Sequence, residues 1–284
     1  MYLTALHNRS VISLFGADRA LFLQGLLSQD INLCAPGKAI HAALLTPQGK
    51  FLHEMFVFQH GDAYLIDCEA GRAEDLLERL KRYKLRAKVE FANLHAEYKI
   101  CALYNNDLEP PLEWPRLPEN YISSADPRHT ALGFRIIAPS TNQPTQALTE
   151  YDAYDQHRLK LGMPDGSHDM LVDKSTLIEG NYDLLNGISW SKGCYVGQEV
   201  TARMHYRGLA KKRLFPVMIE GPPPAPGIIL HHEDAEVGEM RSHRGPYGLA
   251  LLNIEKAHVL MHKDKPITQD SAKLTIHQPE WLKI

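Results

Sequence analysis

The stretch Lys192-Gly193-Cys194-Tyr195-Val196-Gly197-Gln198-Glu199 holds one thiol between two glycines, with a lysine two residues before it. Glycine tolerates positive φ and lets a backbone or ligand come close, so the pair predicts a tight, exposed turn at Cys194. After Gly197, the residues Glu199, Val200, Ala202, Arg203 and Met204 read as a helix opening, with a carboxylate in the first turn where the macrodipole favours it. A thiol just before a helix start and beside Lys192 should ionise more easily than a free cysteine at ~8.5. The alternative is a small buried cysteine that only packs, and residue chemistry alone leaves both readings open.

Outward from this stretch, Leu177-Ile178-Glu179-Gly180-Asn181-Tyr182-Asp183-Leu184-Leu185-Asn186-Gly187-Ile188-Ser189-Trp190-Ser191 leads into it, and Thr201-Ala202-Arg203-Met204-His205-Tyr206-Arg207-Gly208 follows. The whole run resembles the YgfZ family of folate-binding proteins, in particular the branch containing mitochondrial factors that mature iron–sulfur proteins. Weaker echoes lie at Phe22-Leu23-Gln24-Gly25-Leu26-Leu27-Ser28-Gln29-Asp30, at the hairpin Leu45–Lys50 and at Arg82–Val89. The C-terminal segment carries no recognised motif.

The resemblance implies an α+β fold: a folate-binding body of the glycine-cleavage T-protein/YgfZ type over residues 1–213, in two intertwined subdomains, and an all-β barrel over 214–284. It implies a pocket for tetrahydrofolate or a related reduced folate. A pterin edge presents adjacent N–H donors that a carboxylate accepts as a pair, and Glu179 is the candidate. Asn181 stands nearby as donor and acceptor, Gln24 and Asp30 as lining, and Tyr195, Gln198 and Arg203 as further contacts. Cys194, with Lys192 and His205, is the candidate chemical group; an imidazole titrates near neutrality and can carry a proton. Each has a plainer reading: a loop acid, helix caps, a core aromatic, and a Glu199–Arg203 ion pair at helical spacing.

The implied function is an accessory role in assembly or repair of 4Fe–4S enzymes, with an indirect effect on tRNA modification through a cluster-bearing client. Its partners are then a reduced folate and iron–sulfur assembly proteins or client enzymes, and no conventional enzyme activity is required. The other reading is a tetrahydrofolate-dependent aminomethyltransferase of glycine-cleavage type. Such relatives place an Asp on the strand after the hairpin, where this chain reads Phe51-Leu52-His53-Glu54, so Glu54 would have to substitute. They also lack the cysteine motif.

Composition sets outer limits. The chain has 284 residues and a net charge of −3, which excludes a globally basic nucleic-acid binder. Charge is uneven: Lys192 to Arg213 carries six Lys or Arg against one acid, Glu199, and Lys81 to Lys88 carries five cations and no acid. Only Tyr83 and Tyr206 interleave with those cations, so direct RNA contact is not expected. No apolar run reaches membrane-spanning length and no secretory pattern opens the chain, which points to a cytoplasmic protein unless a transit segment was removed before this numbering starts; no oligomeric signal stands out, so a monomer is the default. Cys34, Cys68, Cys101 and Cys194 form no CxxC pair, which argues for free thiols and against a resident zinc or iron–sulfur site. His231-His232-Glu233-Asp234 lacks the helical spacing of a ligand pair and reads as a polar turn.

Apolar periodicity predicts a strand over Tyr2–Phe15, a helix over 18–28, a hairpin of Ile40–Leu45 with Phe51–Phe58, a strand at Tyr64–Cys68 and a helix over Ala73–Tyr83. Strands are predicted at Val89–Leu94, Lys99–Leu103 and Leu132–Ala138, a surface loop at 105–120 and a helix over 146–161. After Arg213 short apolar segments alternate with turns and no helical period is sustained, which suggests a small barrel or sandwich.

Overall fold

The predicted first strand is two. A turn at Leu6–Asn8, closed by the Arg9 N–H on the Leu6 carbonyl at 3.0 Å, separates β1 (Tyr2–Ala5) from β2 (Arg9–Phe15) and sends them into different sheets. The polar run His7-Asn8-Arg9-Ser10 interrupts the apolar pattern of 2–15 and is the local mark of the break. The computed structural model describes residues 1–105, 116–141 and 148–284. The loop expected at 105–120 and the start of the helix expected at 146–161 fall largely outside them.

From β2 the chain continues through α1 (Arg19–Gln24), the hairpin β3 (Ile40–Leu45) and β4 (Phe51–His60), β5 (Ala63–Glu69), α2 (Ala73–Lys84), β6 (Glu90–Asn93) and β7 (Tyr98–Tyr104). It then forms β8 (Ile122–Ala125), β9 (Phe134–Pro139), β10 (Leu148–Thr149), α3 (Tyr151–Lys160), α4 (Gly166–Asp169) and α5 (Gln198–Tyr206). The last part holds β11 (Lys212–Glu220), β12 (Ile229–His232), β13 (Ala235–Arg244), β14 (Tyr247–Asn253), α6 (Ile254–His262), β15 (Ile267–Gln269) and β16 (Ala272–Ile276).

Two five-stranded sheets make the body, in orders β10-β1-β7-β9-β8 and β3-β4-β5-β2-β6. Strand β4 explains how they stack. Successive side chains point to opposite faces of a strand. Met55 and Val57 enter the core beneath α1 and α2, while Phe56 and Phe58 enter the layer shared with Ile100, Tyr104 and Ile137 of the other sheet. Both faces of β4 are therefore buried, and it reads as an apolar run interrupted only by His53 and Glu54 before Gln59. Helix α2 buries Leu76, Leu77 and Leu80 on one stripe, as its spacing predicts.

The remaining six strands form a nearly closed barrel, order β12-β13-β14-β11-β16-β15. Phe215, Val217 and Ile219 of β11 point inward and Met218 outward. The edge strands meet where His232 Nδ1 lies 3.1 Å from the Pro266 carbonyl. One expectation is corrected: α6 interrupts the strands. Asn253 caps it by accepting from the Lys256 N–H, and Ala257 and Leu260 are its buried residues. Its apolar stripe is too narrow for periodicity to show. No helix among the described residues is long and apolar enough to cross a membrane.

Candidate functional site

The residues around Cys194 form a loop pinned to the N-terminal segment 25–30. Ser28 Oγ donates to the Gly187 carbonyl at 2.6 Å and accepts from the Ala43 N–H at 2.8 Å. Gln29 Nε2 donates to the Asn186 carbonyl at 2.7 Å, and the Ser189 and Val196 N–H groups donate to the Ser28 and Gly25 carbonyls. The two stretches that carry the family resemblance are thus one structure, brought together across the chain.

The two glycines differ. Gly197 has φ +81°, and a Cβ there would lie 2.5 Å from the Thr46 carbonyl oxygen, so only glycine lets the loop seat on the hairpin turn at Gly49. Gly193 has open space around it and no positive φ. The expectation that both glycines shape the turn is corrected.

Lys192 is also corrected. It does not stand in solvent as a companion for the thiol. It is buried, its Nζ donating to the Leu27 carbonyl at 2.7 Å and the Gln29 carbonyl at 3.0 Å, over the Tyr195 ring. Burial pushes its pKa down to about 8, against the opposing pull of Asp30. Lys192 is a strut between the two loops. Tyr195 is core, its phenol pushed up to about 12 by burial.

Cys194 itself is exposed, while Cys34, Cys68 and Cys101 are buried. Burial raises those three thiols to about 12, 12 and 11, so they remain protonated. Behind Cys194, Gln198 begins α5. His205 stacks on Trp190 with centroids 4.0 Å apart and planes at 15°, and Tyr206 meets both rings edge-on. Arg203 is exposed and has no ion-pair partner among the described residues, so the expected bridge to Glu199 does not form.

The residues expected around a folate do not gather. Glu179 spends one oxygen on the Thr176 N–H at 2.7 Å and hydroxyl at 3.0 Å, and its carbonyl accepts from the Leu214 N–H. Asn181 is fully buried at φ +61°, donating to the Leu214 carbonyl and accepting from Arg213. Arg213 in turn makes a bidentate pair with Asp183 at 2.8 and 2.7 Å. These residues are the seam between body and barrel. Gln24 and Asp30 bond to each other, and Asp30 caps the short turn at Ile31–Leu33. Gln24, Asp30, Glu179, Asn181, Tyr195, Gln198 and Arg203 are all absent from the lining of a 380 Å³ cavity beside the pinned loop, which Gln29, Leu33, Lys38, His41, Asp126 and Asn186 help to line. As a set they do not fit a bound folate.

Sequence reasoning missed the charges between the two sheets. Glu54 shares the Phe56 face of β4 and is fully enclosed, with Arg9 at 3.2 Å and His41 at 3.1 Å. Burial alone would raise its pKa, but the His41 hydrogen bond and the Arg9 and Arg128 guanidiniums outweigh it and hold the carboxyl well below its usual range. Asp67 joins Arg9 and Arg135, Asp126 joins Arg128 and Arg135, and the three guanidiniums surround the Phe56 ring at 3.7–5.3 Å. Only about 10 Å³ of open space remains against this cluster. Lone charges inside apolar strand patterns were the available signal.

A family model described as the CAF17 C-terminal beta-barrel domain matches residues 211–284, the segment in which the sequence shows no motif. The mitochondrial iron–sulfur cluster assembly factor IBA57 of Mus musculus is 30% identical over 302 residues, covering 97% of this chain and 84% of that protein. The Homo sapiens protein of the same name is 32% identical, covering 90% and 79%. The chain belongs to the IBA57 family. A Neurospora crassa homologue is 33% identical over 245 residues, covering 80% of this chain but 55% of that longer protein. All three relatives are mitochondrial by name, which overturns the cytoplasmic location expected from the sequence. The solved glycine-cleavage aminomethyltransferase T of Bartonella henselae superimposes with a TM-score of 0.74 at 15% identity, over 98% of this chain and 85% of that one. It establishes the expected T-protein-like fold.

Proposed function

We propose that this chain is an iron–sulfur cluster assembly factor that meets its partner through Cys194. The carrying observation is that one thiol of four is exposed, on a loop that the family signature builds. The names of the relatives give the process, and the chemistry narrows the role. Iron–sulfur clusters are held by several thiolates. Among the described residues no three metal-ligating side chains come together. A single exposed thiol supplies one ligand or one exchange partner, so the cluster's other ligands belong to a carrier or client protein. A 4Fe–4S client fits the resemblance, and an effect on tRNA modification would follow from an immature client enzyme. One chain presents one thiol, so a monomer suffices.

Tetrahydrofolate enters this reading only as a ligand of the 380 Å³ cavity. Its volume suits a small molecule, and exposed Lys38 offers a cation for an anionic tail. The aminomethyltransferase reading has less support, because a general base must reach its proton and Glu54 is enclosed by Arg9, His41 and Tyr182.

Complementation tests the proposal. In a strain lacking the protein, wild type and Cys101→Ser should restore 4Fe–4S enzyme activities and Cys194→Ser should not. Full restoration by Cys194→Ser would end it.

A further inference from the structure

Helix α5 carries more than the loop needs. Glu199, Arg203 and Arg207 recur every four residues, so they run along one side of the helix, opposite buried Thr201. Arg203, Arg207 and Lys211 are exposed or half-exposed cations with no ion-pair partner among the described residues. Of the six cations between 192 and 213, Lys192 and Arg213 are buried and Lys212 pairs with Glu236, so these three are what the surface presents. Beside them Tyr206 is 70% exposed and Leu209 49% exposed. Trp190 reaches from the loop before Cys194 to stack on His205 at the helix end, so loop and helix hold each other at both ends of the thiol segment.

We propose that this face docks an acidic protein surface and aligns it with Cys194. The inference rests on the assembly reading and names the kind of partner. Exposed Tyr and Arg around a packed Trp are the composition that dominates protein interfaces, and three cations against one acid, Glu199, leave the face net positive, which selects and steers an acidic partner. Nucleic acid is the poorer occupant. The Trp190 and His205 faces are already stacked on each other, leaving little for bases, and three cations neutralise few phosphates.

The test uses two short peptides, one Glu-rich and one Lys-rich, each with a single cysteine activated as a 2-pyridyl disulfide. The Cys194 thiolate attacks the peptide sulfur, a protein–peptide disulfide forms, the S–S bond between the peptide sulfur and the pyridylthio group breaks, and 2-thiopyridone leaves with the electron pair and takes a proton. The acidic peptide should couple roughly tenfold faster at low salt, with the advantage shrinking as salt rises. Arg203→Glu with Arg207→Glu should reverse the preference, and the milder Arg203→Gln should reduce it; both arginines are exposed, so folding is spared. Equal rates for the two peptides, or a preference that ignores both variants, would overturn the proposal. So would an oligouridylate that blocks the face. A clear acidic preference beside a fully complementing Cys194→Ser would remove the assembly role and leave the docking face standing; the opposite pair of results would do the reverse.

Discussion

The two halves of the signature are one run of sequence with opposite physical jobs. Residues 177–187 are almost wholly inside, where Glu179, Asn181 and Asp183 tie body to barrel through Leu214 and Arg213. Residues 193–207 are largely outside, where a thiol and a basic helix face solvent. The inner half spends its polar atoms on the protein itself. The outer half keeps its polar atoms free and is held in place from behind, by Lys192 on two carbonyls and by Gly197 on the hairpin. A motif that looks like one site is a support followed by a display.

If that contrast holds, the largest stability losses come from the inner half. Asp183→Ala leaves a buried guanidinium unpaired and should cost ~3–5 kcal/mol by urea denaturation. A loss under ~1 kcal/mol would mean that the seam is not held by this pair. Next comes the hinge between the halves. Gly197→Ala meets both a positive φ and the Thr46 carbonyl, and should destabilise by ~1–3 kcal/mol. Gly193→Ala, in open space, should stay within ~0.5 kcal/mol, and equal effects would break the distinction between the two glycines.

Lys192 sharpens the same point through pH. Its folded pKa is lowered to about 8 from an ordinary value of 10.5. Between those values the unfolded chain holds a proton that the folded chain has released, so stability rises as pH climbs through that window. Over the same range the three buried thiols, with their raised pKa values, make stability fall, so the test is a difference: from pH 8 to pH 10 the urea midpoint of wild type should rise relative to that of Lys192→Met. A slope unchanged in the variant would place the titration elsewhere. The smallest effect belongs to the display: Cys194→Ser should leave stability within ~0.5 kcal/mol, since the thiol is exposed.

Much of the fold was legible because apolar runs and helical spacing report burial directly, as in β4 and α2. The polar run His7–Ser10 marks the break after Leu6, but that the two buried halves join different sheets is a long-range fact with no local sign. Helix α6 was missed because its buried stripe is only Ala257 and Leu260. At the site, the exposed turn at Cys194 was legible from Gly197 after it. The direction of Lys192 was not, because its partners are backbone carbonyls more than 160 residues away in sequence. Glu179 and Asn181 stand within the family pattern, yet the Glu179 carboxylate bonds Thr176 and the Asn181 amide bonds Leu214 and Arg213 at the barrel seam, the latter a long-range contact that no local pattern carries.

The most direct measurement counts reactive thiols in the native protein with a disulfide reagent. The account predicts one fast-reacting thiol per chain, none in Cys194→Ser, and all four only after unfolding in denaturant. No fast thiol in native wild type, or a fast thiol that persists in Cys194→Ser, would contradict it.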